Sequence, residues 1–286
     1  MARTRKKKAR PTSAVVFPFD LFGSPGAREG AELIADALRE MLDDNRRERR
    51  ITRAQAYTNH IRIRDYRLDT MSTHENWRRD GRNAARQILA LEQFLLWLAG
   101  NHLAVLPVYE ELARPGTLVV QFDAHLDVYN LSDCTAELSH GNFLLHCAGP
   151  LPGIINVGSR ELLLRPEFVS RYYRAVFPAA GLATDPAPAL EAIRKATSQA
   201  QRVFVDIDCD VLDPAFFPAT SHRLPFGISP ALLLRVLDAA WSERVIGIAI
   251  SEFVPGRDRD DQSLALLVWL LEYLLLKRYE PASGIP

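Results

Sequence analysis

Three potential metal ligands stand at alternate positions in Asp123-Ala124-His125-Leu126-Asp127. In an extended chain, positions i, i+2 and i+4 share a face, so this spacing aims all three one way. Asp208 and Asp210 repeat the spacing within Asp206-Ile207-Asp208-Cys209-Asp210-Val211-Leu212-Asp213-Pro214. Gly100-Asn101-His102 adds an imidazole, and Ser251-Glu252 a further carboxylate. Aspartates gathered in one crevice repel one another and resist joint ionisation. Two divalent ions would balance Asp123, Asp127, Asp208 and Asp210, with His102 and His125 completing the donor set. Oxygen donors with a minority of nitrogens suit Mn²⁺, with Co²⁺, Ni²⁺ or Zn²⁺ as further candidates. The chemistry such a pair serves is hydrolysis, because it lowers the pKa of a shared water toward neutrality.

Each of these clusters follows a short apolar run. Phe94–Ala99 precedes His102, Thr117–Phe122 precedes Asp123, Val203–Ile207 leads into Asp208, and Val245–Ile250 precedes Glu252. Continuous apolar runs suit strands covered on both faces. Ala14–Phe17, His60–Leu68 and Ile154–Val157 read as further strands. Helical patterns cover Trp77–Phe94, Leu103–Leu112, Glu167–Val176, Ala189–Ala200, Ala231–Trp241 and Ser263–Lys277. An earlier helix is opened by Pro25, with an apolar stripe of Leu33, Ile34, Ala37, Leu38, Met41 and Leu42. Alternating β and α predicts one α/β domain, a parallel sheet with helices on both sides. In such sheets chemistry sits at the carboxyl ends of the strands, which is where the clusters fall.

The 286 residues are 48% apolar and 24% charged, which excludes wholesale disorder and fibrous architectures. No apolar run is long enough for a membrane span. MARTRKKKAR has no apolar stretch behind its charges and does not read as a secretory signal. Net charge is zero, but residues 1–10 hold six basic side chains and no acid, leaving the remainder at −6. That predicts a disordered basic tail over residues 1–12 and a single domain over 13–286. An acidic body argues against a nucleic-acid groove. Cys134, Cys147 and Cys209 form no CxxC and fit free thiols in a reducing cytoplasm.

These motifs resemble those of the ureohydrolases, the family of arginase, agmatinase and their relatives. The family's GGDHS appears as Ala99-Gly100-Asn101-His102-Leu103, and its DAHTD as Asp123–Asp127 with Leu126 departing. Its SxDxDxxDP appears as Asp206–Pro214, its GxR as Gly158-Ser159-Arg160, and its ExNP as Glu252-Phe253-Val254-Pro255. Ser139-His140-Gly141 matches a pair found in agmatinases. The resemblance implies a three-layer α/β/α fold with a central, mostly parallel sheet, and homotrimers or homohexamers. It implies two Mn²⁺ per chain: one on His102 and Asp127, one on His125 and Asp210, with Asp123 and Asp208 bridging. It further implies hydrolysis of a small guanidino substrate to urea and an amine. Glu252 would pair with the guanidinium, Asp127 would carry a proton to the leaving amine, and His140 would relay protons to bulk.

Several positions depart from the family pattern. Asn101 and Leu103 replace the aspartate and serine of GGDHS, and Asp206 stands where relatives often carry serine. By alternation Asp206 shares a face with Asp208, so it is a buried acid in need of a partner. Arginases hold the amino-acid head of arginine partly with an asparagine two positions past DAHTD. Tyr129 stands there, which predicts that L-arginine is a poor substrate beside agmatine. His222, near the pocket, points the other way: together with Arg223 it would favour a guanidino acid with a distal carboxylate. Two other readings stay open on the residues alone. One is a related metal-dependent amide or formimino hydrolase, including a single-zinc deacetylase. The other is a non-catalytic arginase-fold protein that binds metal.

Overall fold

Apolar side chains on both faces of a strand demand cover from both sides, and that requirement organises the molecule. The computed structural model describes residues 10–280. Eight strands form one sheet: β1 (Thr12–Phe17), β2 (Ile61–Asp65), β3 (Phe94–Ala99), β4 (Thr117–Phe122), β5 (Gly153–Val157), β6 (Ala175–Phe177), β7 (Arg202–Asp208) and β8 (Val245–Ser251). Their order is β2-β1-β3-β8-β7-β4-β5-β6, and every pair is parallel. The helices are α1 (Ala27–Arg47), α2 (Met71–Ala90), α3 (Leu106–Leu112), α4 (Pro166–Val169), α5 (Ala179–Thr184), α6 (Ala187–Gln199), α7 (Pro230–Ala240) and α8 (Gln262–Tyr279).

Alternation along β1 and β3 splits the interior into two cores. Ala14, Val16, Leu96 and Leu98 face the layer built from α1 and α5–α8, represented by Ile34, Leu182, Ile193, Val236 and Leu271. Val15, Phe17, Leu95 and Trp97 face α2 and α3, where Trp77, Ile88, Val108 and Tyr109 pack. The expected three-layer α/β/α arrangement is therefore present, with a sheet that is wholly rather than mostly parallel. No helix among the described residues is long and apolar enough to cross a membrane.

Local departures have local causes. The helix expected from Trp77 begins at Met71, because Thr70 and Thr73 form a reciprocal capping box, and it ends before Phe94 at a turn where Glu92 is left-handed. The segment expected as helix over Glu167–Val176 holds only α4. Beyond it, Ala175 pairs with Ile155 to make an edge strand. The stripe on α1 is rotated: Ala31, Ile34, Ala35, Leu38 and Leu42 are buried, whereas Leu33 is exposed. The expected basic tail lies outside the described residues up to residue 9. Thr12 already pairs with Ile61 and Phe94, so the first strand starts within the segment assigned to the tail.

Gly30 shows how closely α1 approaches the segment that carries Glu252. A Cβ at this position would sit 1.8 Å from the carbonyl oxygen of Phe253. In an open helix Gly→Ala stabilises by up to about 1 kcal/mol. Here Gly30→Ala is expected to lower the melting temperature instead, and a thermal melt of the variant beside the parent protein checks the sign.

Candidate functional site

Four adjacent strands in the middle of the sheet, β3-β8-β7-β4, deliver the polar clusters from their carboxyl ends. His102 lies just beyond β3, Glu252 just beyond β8, Asp208 closes β7 and Asp123 follows β4. The ligands converge by turns more than by strand alternation. β4 stops at Phe122, and Asp127 returns toward the site through a left-handed backbone at φ 49°. Glu252 is likewise left-handed, at φ 64°. Such conformations cost non-glycine residues of order 1–3 kcal/mol and persist where surrounding structure enforces them. Asp210 belongs to a 3₁₀ turn, Cys209–Val211, whose opening is capped by Asp208: its Oδ1 accepts from the Asp210 N–H at 2.9 Å. Asp206 and Asp208 do share a strand face, and His102 meets both.

His102 is the hub. Its Nδ1 lies 2.9 Å from Asp127 Oδ2, 3.2 Å from Asp123 Oδ2 and 3.3 Å from Asp208 Oδ2. Its Nε2 lies 2.9 Å from Asp206 Oδ2, which also accepts from the Tyr109 hydroxyl at 2.7 Å. Asp206 thus has two partners on Oδ2, while its Oδ1 is buried and makes no hydrogen bond. His125 Nδ1 lies 2.9 Å from Asp210 Oδ2 and 3.7 Å from Asp123 Oδ1. The donor atoms form two overlapping groups, His102–Asp123–Asp127 and Asp123–His125–Asp210, with Asp123 common to both.

Electrostatics follow from this crowding. Burial opposes charge on His102, but Asp206 and Asp127 outweigh it and raise its pKa well above the usual range. His125 is pushed up to about 10: burial opposes this, and Asp210 overcomes it. Asp210 is held low by His125 despite its burial. Asp123 and Asp208 are raised, first by burial and then by the neighbouring aspartates. Burial and mutual repulsion thus disfavour charge on Asp123 and Asp208. Asp123 Oδ2 and His102 Nδ1 are buried and make no hydrogen bond of good geometry. Two buried unpartnered donor atoms within a carboxylate-rich, imidazole-assisted set fit divalent metal ligation.

Polar residues inside otherwise apolar strands support this cluster, and sequence reasoning passed over them. Gln121 Nε2 donates to Asp127 Oδ2 at 3.4 Å, and Asn156 Nδ2 donates to the His125 carbonyl at 3.0 Å. Each interrupts an apolar run, in TLVVQF and GIINV, and that interruption was the available signal. The Arg160 guanidinium donates to the carbonyls of Asp210 and Val211, clamping the turn that presents Asp210.

The remaining candidates ring the mouth. Glu252 is buried, and its Oε1 accepts from the His102 N–H at 2.9 Å and lies 3.3 Å from His140 Nδ1. Burial works against charge on His140, but Glu252 raises its pKa overall. The His222 ring stands 5.2 Å from that of His140 and 5.7 Å from that of His125, so it reaches the site. Burial, then His140 and His125, lower its pKa. Arg223 does not join it: its guanidinium donates to the Arg257 carbonyl at 3.4 Å. Tyr129 stands edge-on to His125, with ring centres 6.4 Å apart, and burial, then the nearby Glu161 carboxylate, raise its pKa.

A sequence model of the Arginase family matches residues 12–276. The chain belongs to the arginase family. This family member is 29% identical over 197 residues to an agmatinase of Neisseria gonorrhoeae, a match covering 68% of the chain and 62% of the relative. An agmatinase of Serratia proteamaculans is 28% identical over the same length, covering 68% of the chain and 63% of the relative. The chain therefore spans somewhat under two thirds of the length of these relatives. Among solved structures, arginase from Bacillus subtilis superposes with a TM-score of 0.77 at 18% identity, covering 93% of this chain and 98% of that one. A hypothetical agmatinase from Burkholderia thailandensis gives 0.76 at 21% identity, covering 95% and 85%. At these identities the superpositions speak to the fold, and they place this arginase-family chain in the three-layer architecture expected of it.

Proposed function

We propose that this arginase-family chain is a two-metal hydrolase that splits a guanidino compound into urea and an amine. The observation that carries the reading is the position of Glu252. It is a buried acid whose Oε1 is tied to the amide of His102, a member of the first of two overlapping carboxylate–imidazole groups, and lies beside His140. The ligands would be His102 and Asp127 for one ion and His125 and Asp210 for the other, with Asp123 and Asp208 shared. Divalent cations in these positions, Mn²⁺ fitting the oxygen-rich set, supply the acidity that makes water a nucleophile near neutral pH.

The chain's own residues do the rest. A guanidinium spreads its charge over three nitrogens, so its carbon is a weak electrophile and must be held in place. Glu252 pairs with that cation and fixes the carbon over the cluster, a positioning contribution. Addition of water to the carbon is followed by cleavage of a carbon–nitrogen bond. The leaving nitrogen takes a proton, since an amide-like anion does not depart. Asp127, a member of the first ligand group, carries that proton. His140, linked to Glu252 and open to the mouth, exchanges protons with bulk.

The agmatinases among the relatives and the tyrosine at position 129 support a substrate without an amino-acid head. A single tyrosine hydroxyl offers little to an α-amino and α-carboxylate pair, and Arg223 is turned elsewhere. L-Arginine is therefore expected to be a poor substrate. Cytoplasmic residence and a homotrimeric or homohexameric assembly accord with this reading. The test is release of urea from guanidino compounds by the Mn²⁺-loaded protein. Absence of urea from every member of a broad panel would reject hydrolysis and leave a metal-binding relative.

A further inference from the structure

Beyond His140 and Tyr129 the site opens into a pocket of about 410 Å³, and its chemistry is unlike that of a site for a doubly charged molecule. Among the described residues, none of the side chains lining it is Asp, Glu, Lys or Arg. Two of its polar side chains, Asn142 and Thr135, are already engaged by their own loop. Asn142 Nδ2 donates to the carbonyls of Thr135 and Glu137 at 3.0 and 2.8 Å, while its Oδ1 accepts from the Ser139 N–H at 2.8 Å. Thr135 Oγ1 accepts from the Glu137 N–H at 3.1 Å. The acid next to the pocket is also occupied: Glu161 accepts from the N–H groups of Leu163 and Leu164.

Phe22 lines the same pocket and is held at a double cost. It is 62% exposed, and its backbone is left-handed at φ 58°. For a bulky aromatic residue that conformation is an outlier. The bond from the His140 N–H to the Phe22 carbonyl, 3.1 Å, pins it beside the residue that contacts Glu252. Neither strain nor exposure helps the chain fold. Both make sense where a ligand covers the ring.

We propose that the guanidino substrate carries an uncharged, apolar body, as in an alkyl- or arylalkylguanidine, which lies between Phe22 and Tyr129. The inference rests on the hydrolytic reading for its chemistry, but not for its specificity. An ammonium at the far end of the substrate would leave water for a pocket lined by no carboxylate, and a carboxylate would meet only the His140 imidazole, already tied to Glu252. An alkyl chain would instead cover Phe22. The reaction stays balanced: water adds to the guanidinium carbon, the bond to the alkyl-bearing nitrogen breaks, and alkylammonium and urea leave.

A matched series tests this: n-butylguanidine, agmatine, 4-guanidinobutyrate and L-arginine, given to the Mn²⁺-loaded protein. Urea release and ligand-induced shift of the melting midpoint are measured in parallel. We expect n-butylguanidine to exceed agmatine in kcat/KM by about tenfold or more, mostly through KM, with the two acids lower still. Phe22→Ala should weaken n-butylguanidine about tenfold while affecting methylguanidine much less, which separates lost contact from misfolding. Agmatine matching or exceeding n-butylguanidine in both readouts would overturn the uncharged body and leave hydrolysis standing. Preferential binding of n-butylguanidine with no urea from any compound would reject hydrolysis and support the specificity.

Discussion

Glu252→Gln is expected to reduce kcat/KM for the best guanidino substrate by roughly 150-fold, while metal content and melting behaviour stay close to those of the parent. A buried charge-assisted pair that loses one partner forfeits about 3 kcal/mol, and each 1.36 kcal/mol is tenfold in rate. Glutamine keeps an oxygen for the His102 N–H, so the bond that ties the residue to the ligand loop survives. What it loses is the negative charge opposite the guanidinium. Steady-state kinetics and metal analysis on the same preparation decide the matter. Retained activity would remove Glu252 from substrate binding. Loss of metal alongside activity would make it part of the metal site instead.

The second large effect concerns Asp123, the residue common to both ligand groups. Asp123→Ala should strip most of the metal from the purified protein and abolish the stabilisation that metal provides. A ligand present at a hundredfold excess over Kd stabilises the native state by about 2.7 kcal/mol, provided it does not bind the unfolded chain. The parent protein should therefore melt lower in chelator than in added Mn²⁺, and the variant should show little difference. Asp213→Ala is the companion measurement. Asp213 sits three residues past Asp210, and its two oxygens accept from the N–H groups of Ala215 and Gly227. Its loss should lower the midpoint equally with and without metal. Equal metal content in the parent protein and Asp123→Ala would refute the ligand assignment.

Much of the architecture was legible because the central strands are buried on both faces and so read as continuous apolar runs. Thr117–Phe122 and Val245–Ile250 needed no tertiary information to be recognised. Edges and turns were harder. Ala175–Phe177 is only half-buried and short, and its strand character comes from its neighbour β5 rather than from its own composition. The ligands were legible as residues, but their convergence was not. Asp127 reaches the site through a left-handed turn, and spacing alone suggests an extended chain there. The partner of Asp206 was hidden because Tyr109 lies nearly a hundred residues earlier, on a helix from the opposite layer. Arg223 follows His222 directly, yet the two diverge. Adjacent loop residues share no periodicity from which direction could be read.

The amide proton of His102 points at Glu252 Oε1. It is therefore a built-in reporter. In a ¹⁵N-labelled sample loaded with diamagnetic Zn²⁺ its resonance should sit downfield, shaped by a carboxylate acceptor, and shift whenever a cation draws on that same oxygen. A compound that is bound but never split would move this signal as surely as one that is. Occupancy of the anchor can thus be followed on a single backbone proton, apart from turnover.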